Sequence, residues 1–204
     1  ITEGDASLYT ALYGARFAVH SSDEFARALG YERAPIDDLL AFHMVFGKTV
    51  PDVSLNAVAN LGYANGVFGV PVFPGDTVTT TSTVTGLKQN SNGKTGVVYV
   101  NSVGKNQRGE TVLDYTRWVM VKKRNLEAPA PETVVPELPK AVPADKLIVP
   151  SIAAGAWDDA LAGSPYRFGD YEQGEKIDHV DGMTIEEAEH QLATRLYQNT
   201  AKVH

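Results

Sequence analysis

The last twenty residues of this 204-residue chain repeat its first twenty. At an offset of 184 positions, residues 1–20 align with residues 185–204 without a gap. The identical pairs are Ile1/Ile185, Glu3/Glu187, Leu8/Leu192, Thr10/Thr194, Leu12/Leu196, Tyr13/Tyr197, Val19/Val203 and His20/His204. Chance alone gives roughly one identity in twenty aligned positions. A single repeat at domain-sized separation indicates a duplicated domain and not a solenoid of many short units.

The two ends of the chain fall inside domains according to this repeat. The second copy has only begun when the sequence stops, and the opening Ile1-Thr2-Glu3 has the character of a domain interior. We therefore expect the chain to be a piece of a longer protein at both ends.

Composition excludes several classes of function. The net charge of −7 argues against a nucleic-acid surface. No cysteine is present, which excludes disulfides and thiolate metal sites and makes a cytoplasmic location the default. No apolar run is long enough to span a membrane. The densest basic run, Lys122-Lys123-Arg124, is either a solvated strand end or a site for anionic phosphates.

The first fifty residues have helical patterning. Residues 2–19 predict one helix, with Thr2 as N-cap and an apolar stripe at helical spacing. Ser22 is expected to cap a short helix over residues 23–29. Residues 36–47 are strongly apolar, with Asp37 and Asp38 at the start, and predict a mostly buried helix.

The following residues change to a period of two. Four strands are predicted, over residues 57–63, 77–87, 94–105 and 110–122, with turns between the last three. Helices followed by a run of antiparallel strands indicate an α+β fold with the sheet wrapped around a central helix. Residues 126–150 contain six prolines and predict an irregular linker. A short strand over residues 176–180 and a helix over residues 185–197 are expected in the second copy.

This order of elements, with the Pro71–Thr77 entry to the long strands, resembles the MaoC-like, hydratase-2 branch of the hot-dog fold. The resemblance implies a double hot dog whose second copy is truncated. Residues 1–125 would form the first domain, lacking its N-terminal strand. Residues 126–167 would be the linker, and residues 168–204 the incomplete start of the second domain.

The site of that branch follows the first helix and has the pattern Asp-x-Asn-Pro-x-His. The aligned stretches are residues 15–20 and 199–204. Both keep the histidine, as His20 and His204, but the aspartate position holds Ala15 in the first copy and Asn199 in the second. The resemblance implies that His204 is catalytic and that Asn199 orients water or substrate, since an amide does not titrate in this range. The alternative for Asn199 is a turn residue that satisfies backbone groups. His20, whose copy lacks a polar partner, is expected to be structural.

Three longer blocks, residues 46–56, 176–182 and 193–204, are similar to members of this branch that act on short, branched dicarboxylic enoyl-CoA thioesters. The resemblance implies a hydro-lyase that adds water reversibly to the C=C of mesaconyl-CoA to give β-methylmalyl-CoA. Arg195 or Lys202 would bind the free carboxylate. His43 either delivers a polar group to the acyl pocket or is a satisfied core histidine.

Hydration of such a thioester needs a group that activates water, a proton for the α-carbon and donors for the enolate-like oxygen. We therefore expect acyl-CoA as the small-molecule partner, no metal or other cofactor, and a homodimer. The absent aspartates leave a non-catalytic acyl-CoA-binding protein as the alternative. A thioesterase is a further alternative, because hot-dog folds host that chemistry too.

Overall fold

The computed structural model describes residues 1–180 and 182–201. The helices are α1 (Glu3–Tyr13), α2 (Ala18–Ser21), α3 (Asp23–Ala28), α4 (Asp38–Thr49), α5 (Asp159–Ala162) and α6 (Glu187–Leu196). The strands are β1 (Ala57–Phe68), β2 (Thr79–Gln89), β3 (Thr95–Lys105) and β4 (Thr111–Lys122). A π-helical turn, Val50–Ser54, extends α4 towards β1. Within the described residues, no helix is both long and apolar enough to cross a membrane.

The four strands form one antiparallel sheet in the order β1-β4-β3-β2. The two hairpins turn at Gly93 and Gly109, whose φ values of 66° and 79° lie in the left-handed region that glycine adopts without strain. The four predicted strands are confirmed, with β1 running five residues further than its sequence pattern indicates.

Helix α4 is the central helix that the sheet wraps around, which confirms the predicted α+β hot-dog arrangement. Leu40, Ala41 and Val45 of α4 are buried against inward-facing strand residues such as Leu113 and Tyr115. Gly104 on β3 permits this close approach, because a Cβ there would collide with the Val45 side chain.

The first helix is shorter than its periodicity predicts. Thr2 caps α1, as expected from the sequence, and Asp5 completes a capping box with it. Gly14 then takes a left-handed conformation with φ 62° and ends the helix. The single helix over residues 2–19 is therefore wrong, because the chain turns at Gly14 and restarts as α2.

The proline-rich segment is irregular, as predicted, but it is tied to the domain. Val134 forms an isolated antiparallel bridge with Leu87 of β2. Further on, the Ala153 amide donates to the Leu29 carbonyl at 2.9 Å, and Trp157 packs edge-on against Phe25. The segment thus crosses the outer edge of the sheet and returns to α3.

The second copy begins without the expected strand. Residues 176–180 are exposed and irregular, since no neighbouring strand satisfies their backbone groups there. The helix predicted for residues 185–197 is confirmed as α6, which starts with a capping box of Glu186 and Glu189.

Candidate active site

The end of α6 lies directly against the central helix. A Cβ on Gly47 of α4 would overlap the carbonyl oxygen of Tyr197, so only glycine permits this contact. One turn earlier on α4, the His43 ring stacks on the Tyr197 ring at 4.2 Å between centroids and 16° between planes. This docking holds the backbone of Tyr197 and Asn199 against the middle of the domain.

Two clefts meet where α6 ends. The basic cleft, about 910 Å³, runs between the π-helical turn, β1 and the end of β4. The apolar cleft, about 560 Å³, lies between α4 and α6. Phe46 and Asn199 border both. The second copy of the repeat therefore contributes its Asn199 to a junction whose other walls are α4, the π-helical turn, β1 and β4.

Asn199 is half-buried at this junction. Its Oδ1 accepts a hydrogen bond from the Ala201 amide at 3.0 Å, which forms a local turn. Its backbone amide donates to the Thr194 carbonyl at 3.1 Å. Its Nδ2 donates no hydrogen bond to any residue of 1–180 or 182–201. Asn199 thus forms the expected turn, and no group within residues 1–180 and 182–201 occupies its NH₂, which faces a junction of two clefts.

His43 borders the apolar cleft and is half-buried. Burial lowers the pKa of its imidazole, and the Asp37 carboxylate at the N-cap of α4 opposes that shift. The imidazole is therefore mainly neutral near pH 7 and presents one N–H donor and one acceptor nitrogen.

The remaining predicted site residues have different locations. Arg195 is exposed on α6 and lines neither cleft. Lys202 and His204 lie outside the described residues. The structure therefore brings Asn199 and His43 to one junction and places Arg195 away from it.

The first copy places its histidine elsewhere. The Nδ1 of His20 lies 3.0 Å from the Pro35 carbonyl oxygen. Asp38, the first residue of α4, lies near this imidazole; burial raises the pKa of its carboxyl, and His20 opposes only part of that rise. Asn199 packs near Gly47, about 14 Å further along α4 at 1.5 Å per residue. His20 and Asn199 thus lie near opposite ends of the same helix.

Arg117 of β4 is a buried cation that the sequence analysis did not select. Its exposed fraction is 0%, and it borders the basic cleft. A signal was present, because Arg117 shares the inward face of β4 with apolar Tyr115 and Val119. A charged residue at such a register position needs a specific partner.

The rim of the basic cleft carries the basic run noted in the sequence. Lys122 and Arg124 are exposed there. Lys123 is half-buried and donates to Gln89 Oε1 at 2.9 Å and to the Ala128 carbonyl at 2.7 Å. The lining holds four basic side chains and, over the described ranges, no aspartate or glutamate. The cleft therefore attracts anions in a chain whose net charge is −7.

Metal binding has no support in the part of the chain that the structure describes. There, no three histidine, aspartate or glutamate side chains are grouped so as to hold a metal ion.

The family model of the MaoC like domain matches residues 1–106. The chain is 68% identical over its whole length to the beta-methylmalyl-CoA dehydratase of Chloroflexus aurantiacus, of which it covers 58%. It is 62% identical, again over its whole length, to the mesaconyl-CoA hydratase of Cereibacter sphaeroides, of which it covers 60%. The chain thus spans about three fifths of the length of these curated relatives.

Solved structures support the same fold. A crystal structure of a MaoC domain protein from Chloroflexus aurantiacus superposes with a TM-score of 0.93 at 68% identity, over 100% of this chain and 58% of that one. A double hot-dog protein of Mycobacterium tuberculosis superposes with a TM-score of 0.65 at 20% identity, over 100% of this chain and 62% of that one. At that identity, the second likeness concerns the fold alone.

Proposed function

Because this chain belongs to the MaoC-like domain family, we propose that it is part of a hydro-lyase acting on a short, branched dicarboxylic enoyl-CoA. The reaction is the reversible addition of water to mesaconyl-CoA to give β-methylmalyl-CoA. The observation that carries the proposal is the 68% identity, over the entire chain, to a beta-methylmalyl-CoA dehydratase. The 62% identity to a mesaconyl-CoA hydratase supports the same reversible reaction, named there in the direction of hydration.

The basic cleft suits a coenzyme A thioester. The coenzyme carries several phosphate charges, and Lys122, Lys123 and Arg124 line the rim with cationic groups. We place the phosphates at this rim and the acyl group towards Asn199 and Phe46. The apolar cleft on the other side of Phe46 offers a surface for a methyl branch.

The reaction adds the hydroxyl group and the hydrogen of one water molecule to two neighbouring carbons. The water oxygen bonds to the β-carbon, the π electrons pass to the thioester as an enolate, and a proton is delivered to the α-carbon. His204 takes the proton from water in this proposal, and Asn199 Nδ2 holds the water or the thioester oxygen. None of these steps requires a metal or an organic cofactor. We further propose a cytoplasmic enzyme with two hot-dog units, acting as a homodimer.

A kinetic comparison of the two copies tests the proposal. In a protein as long as the curated relatives, we expect His204→Ala to lower kcat for mesaconyl-CoA hydration by about 100-fold or more. The aligned His20→Ala should change kcat only a few-fold. Loss of the conjugated enoyl-thioester absorbance measures the rate. Equal losses in both variants, or none in His204→Ala, contradict the assignment.

Two other outcomes replace the proposed reaction. Binding of the thioester by calorimetry without any turnover would identify a non-catalytic acyl-CoA-binding protein. Release of free CoA thiol would identify a thioesterase.

A test of the role of Asn199 needs a control asparagine that forms the same kind of turn elsewhere in the chain. Asn125 Oδ1 accepts from the Glu127 amide at 3.0 Å, which is the same i to i+2 turn as at Asn199. We expect Asn199→Ala to lower kcat at least tenfold, while Asn125→Ala affects only local stability. Parallel behaviour of the two variants would reduce Asn199 to a turn residue.

A further inference from the structure

Arg117 is buried in the sheet without an acidic partner. It lies on the central strand β4, paired with Tyr63 of β1 and Val100 of β3. Among residues 1–180 and 182–201, no carboxylate forms an ion pair with it. An uncompensated buried charge costs several kcal/mol, so such a guanidinium is usually matched by an anion.

Neutral groups hold the guanidinium in one position. Nη2 donates to Thr49 Oγ1 at 2.8 Å, and both Nη atoms lie 3.3 Å from Ser54 Oγ. The Thr49 hydroxyl donates its own proton to the Phe46 carbonyl at 2.7 Å, so it can only accept from Arg117. The guanidinium carbon lies 4.5 Å from the centre of the Phe46 ring, which adds a cation–π contact. The group is therefore pre-oriented but not neutralised.

Donor capacity remains on Arg117. A guanidinium has five N–H donors, and Arg117 Nε is buried with no hydrogen-bond partner in the described chain. Burial lowers the pKa of Arg117, but an arginine stays protonated at any physiological pH. Its side chain borders the same cleft as Asn199 and Phe46.

We propose that Arg117 binds the free carboxylate of the dicarboxylic acyl-CoA and so selects dicarboxylic over monocarboxylic substrates. This inference rests on the proposed function and assigns the carboxylate to Arg117 instead of the exposed Arg195. A planar carboxylate fits the guanidinium fork, and its charge compensates the buried cation. The basic rim and the buried arginine then bind the two anionic ends of one ligand.

The position of this carboxylate also matters for the reaction. In mesaconyl-CoA the carboxylate is attached to the carbon that receives the hydroxyl group. Fixing the carboxylate at Arg117 therefore fixes the distance from that carbon to Asn199, which borders the same cleft. We infer that Arg117 is both a specificity residue and an anchor for the reacting carbon.

Binding of unreactive thioesters tests the inference independently of turnover. The probes are methylsuccinyl-CoA and 2-methylbutyryl-CoA, which have no C=C and differ in having a carboxylate or a methyl group at the distal end. In a protein as long as the curated relatives, calorimetry should show a wild-type preference for methylsuccinyl-CoA of about 100-fold. In Arg117→Met that preference should fall to near unity, with the Kd of 2-methylbutyryl-CoA changed less than threefold.

Two more variants keep the test decisive. Arg117→Lys retains the positive charge but not the planar guanidinium. We therefore expect it to fold and to show a preference for methylsuccinyl-CoA that is about tenfold smaller than that of the wild type. Arg108→Met removes an exposed arginine on the turn between β3 and β4 and should leave the preference unchanged. A collapse of the preference in Arg195→Met, with Arg117→Met unaffected, would overturn the assignment.

Unfolding of the ligand-free variants separates a substrate partner from a protein partner. If the substrate supplies the counter-charge, Arg117→Met removes an unpaired buried cation and keeps or raises the unfolding midpoint. If an acidic residue elsewhere in the protein neutralises Arg117, the variant leaves that acid unpaired, and the midpoint falls while the preference persists. Absence of wild-type turnover on mesaconyl-CoA would refute the proposed function but would not affect this binding test.

Discussion

The two copies of the repeat form the same helix and bury it differently. α1 and α6 start with capping boxes and are followed by left-handed residues at aligned positions. These aligned pairs are Thr2/Glu186, Asp5/Glu189 and Gly14/Gln198. Local sequence therefore specifies both helices in the same way.

The surroundings of the two helices differ. Tyr197, at the end of α6, is 8% exposed, whereas its aligned residue Tyr13 is 45% exposed. The two rings stack on each other, with centroids 6.5 Å apart and planes 12° apart. A contact between equivalent residues is typical of a two-fold symmetric interface. Docking against α4 at Gly47 places the second copy, and not the first, at the junction of the clefts.

The largest expected difference is between the two tyrosines. Tyr197→Ala should lower the free energy of unfolding by about 3–4 kcal/mol, because it removes a buried aromatic ring between α4 and α1. Tyr13→Ala should cost about 1 kcal/mol, since nearly half of that side chain is exposed. Denaturant unfolding measures both. Similar losses of unfolding free energy in the two variants would mean that the two tyrosines contribute equally to packing.

Gly47 provides the next test of the docking. Gly47→Ala should lower the free energy of unfolding by about 2 kcal/mol, because its methyl group would meet the Tyr197 carbonyl and push α6 away. Mesaconyl-CoA hydration should fall as Asn199 is displaced. Gly4→Ala in α1 is the matched control, since it introduces the alanine found at aligned position 188 and its nearest neighbour, Thr2 Oγ1, lies at an ordinary contact distance of 3.5 Å. An unaffected hydration rate in Gly47→Ala would argue against a role for the docked segment.

The stability of the first copy should depend on alkaline pH through Tyr9, whereas the aligned residue of the second copy, Ala193, does not titrate. Burial, with the nearby Asp37 carboxylate, raises the pKa of Tyr9 to about 12, while the aligned residue is Ala193. The unfolded state ionises first, so this stabilising contribution is complete below about pH 10 and is lost as the pH rises through about 12. The stability difference between wild type and Tyr9→Phe should shrink by about 2 kcal/mol between pH 9 and pH 12. Parallel pH curves for the two proteins would contradict the pKa assignment.

The smallest expected effect concerns the residues that end the two helices. Gln198 has φ 54°, a left-handed conformation that costs a non-glycine residue about 1 kcal/mol. Gln198→Gly should therefore raise the free energy of unfolding by up to about 1 kcal/mol, and Gly14→Gln should lower it by a similar amount. Thermal unfolding of the two variants checks these opposite signs. Changes of the same sign would mean that the two helix ends are not equivalent.

Most of the fold could be predicted because its signals are local. β-branched residues with a period of two and glycine-containing turns predicted the three hairpin-linked strands β2, β3 and β4, and the acidic start of an apolar run predicted α4. The wrong predictions are those that relied on the residue pattern alone, without the backbone turn or the neighbouring strand that decides the structure. Gly14 divides what reads as one helix, and residues 176–180 have strand-forming character without a neighbouring strand.

The site was only partly predictable. The repeat directed attention to Asn199 and His204, and the helical position of His43 led to the apolar cleft. Arg117 was missed, although its inward register on β4 was readable, because a single strand does not reveal which neighbours compensate a buried charge. Arg195 was selected as a cation for the free carboxylate, and the tertiary structure leaves it exposed.

The sequence alone determined the duplicated segment, the cap of α1, the strand meander and the family to which the chain belongs. All of these depend on residues within a few positions of one another or on similarity along the chain. Only the tertiary structure decided that Gly47 receives the end of α6, that two clefts meet at Phe46, and that Arg117 is buried beside Thr49 and Ser54. Burial and charge compensation arise between residues distant in sequence, and for that reason the site emerged only when the helix and the sheet were packed together.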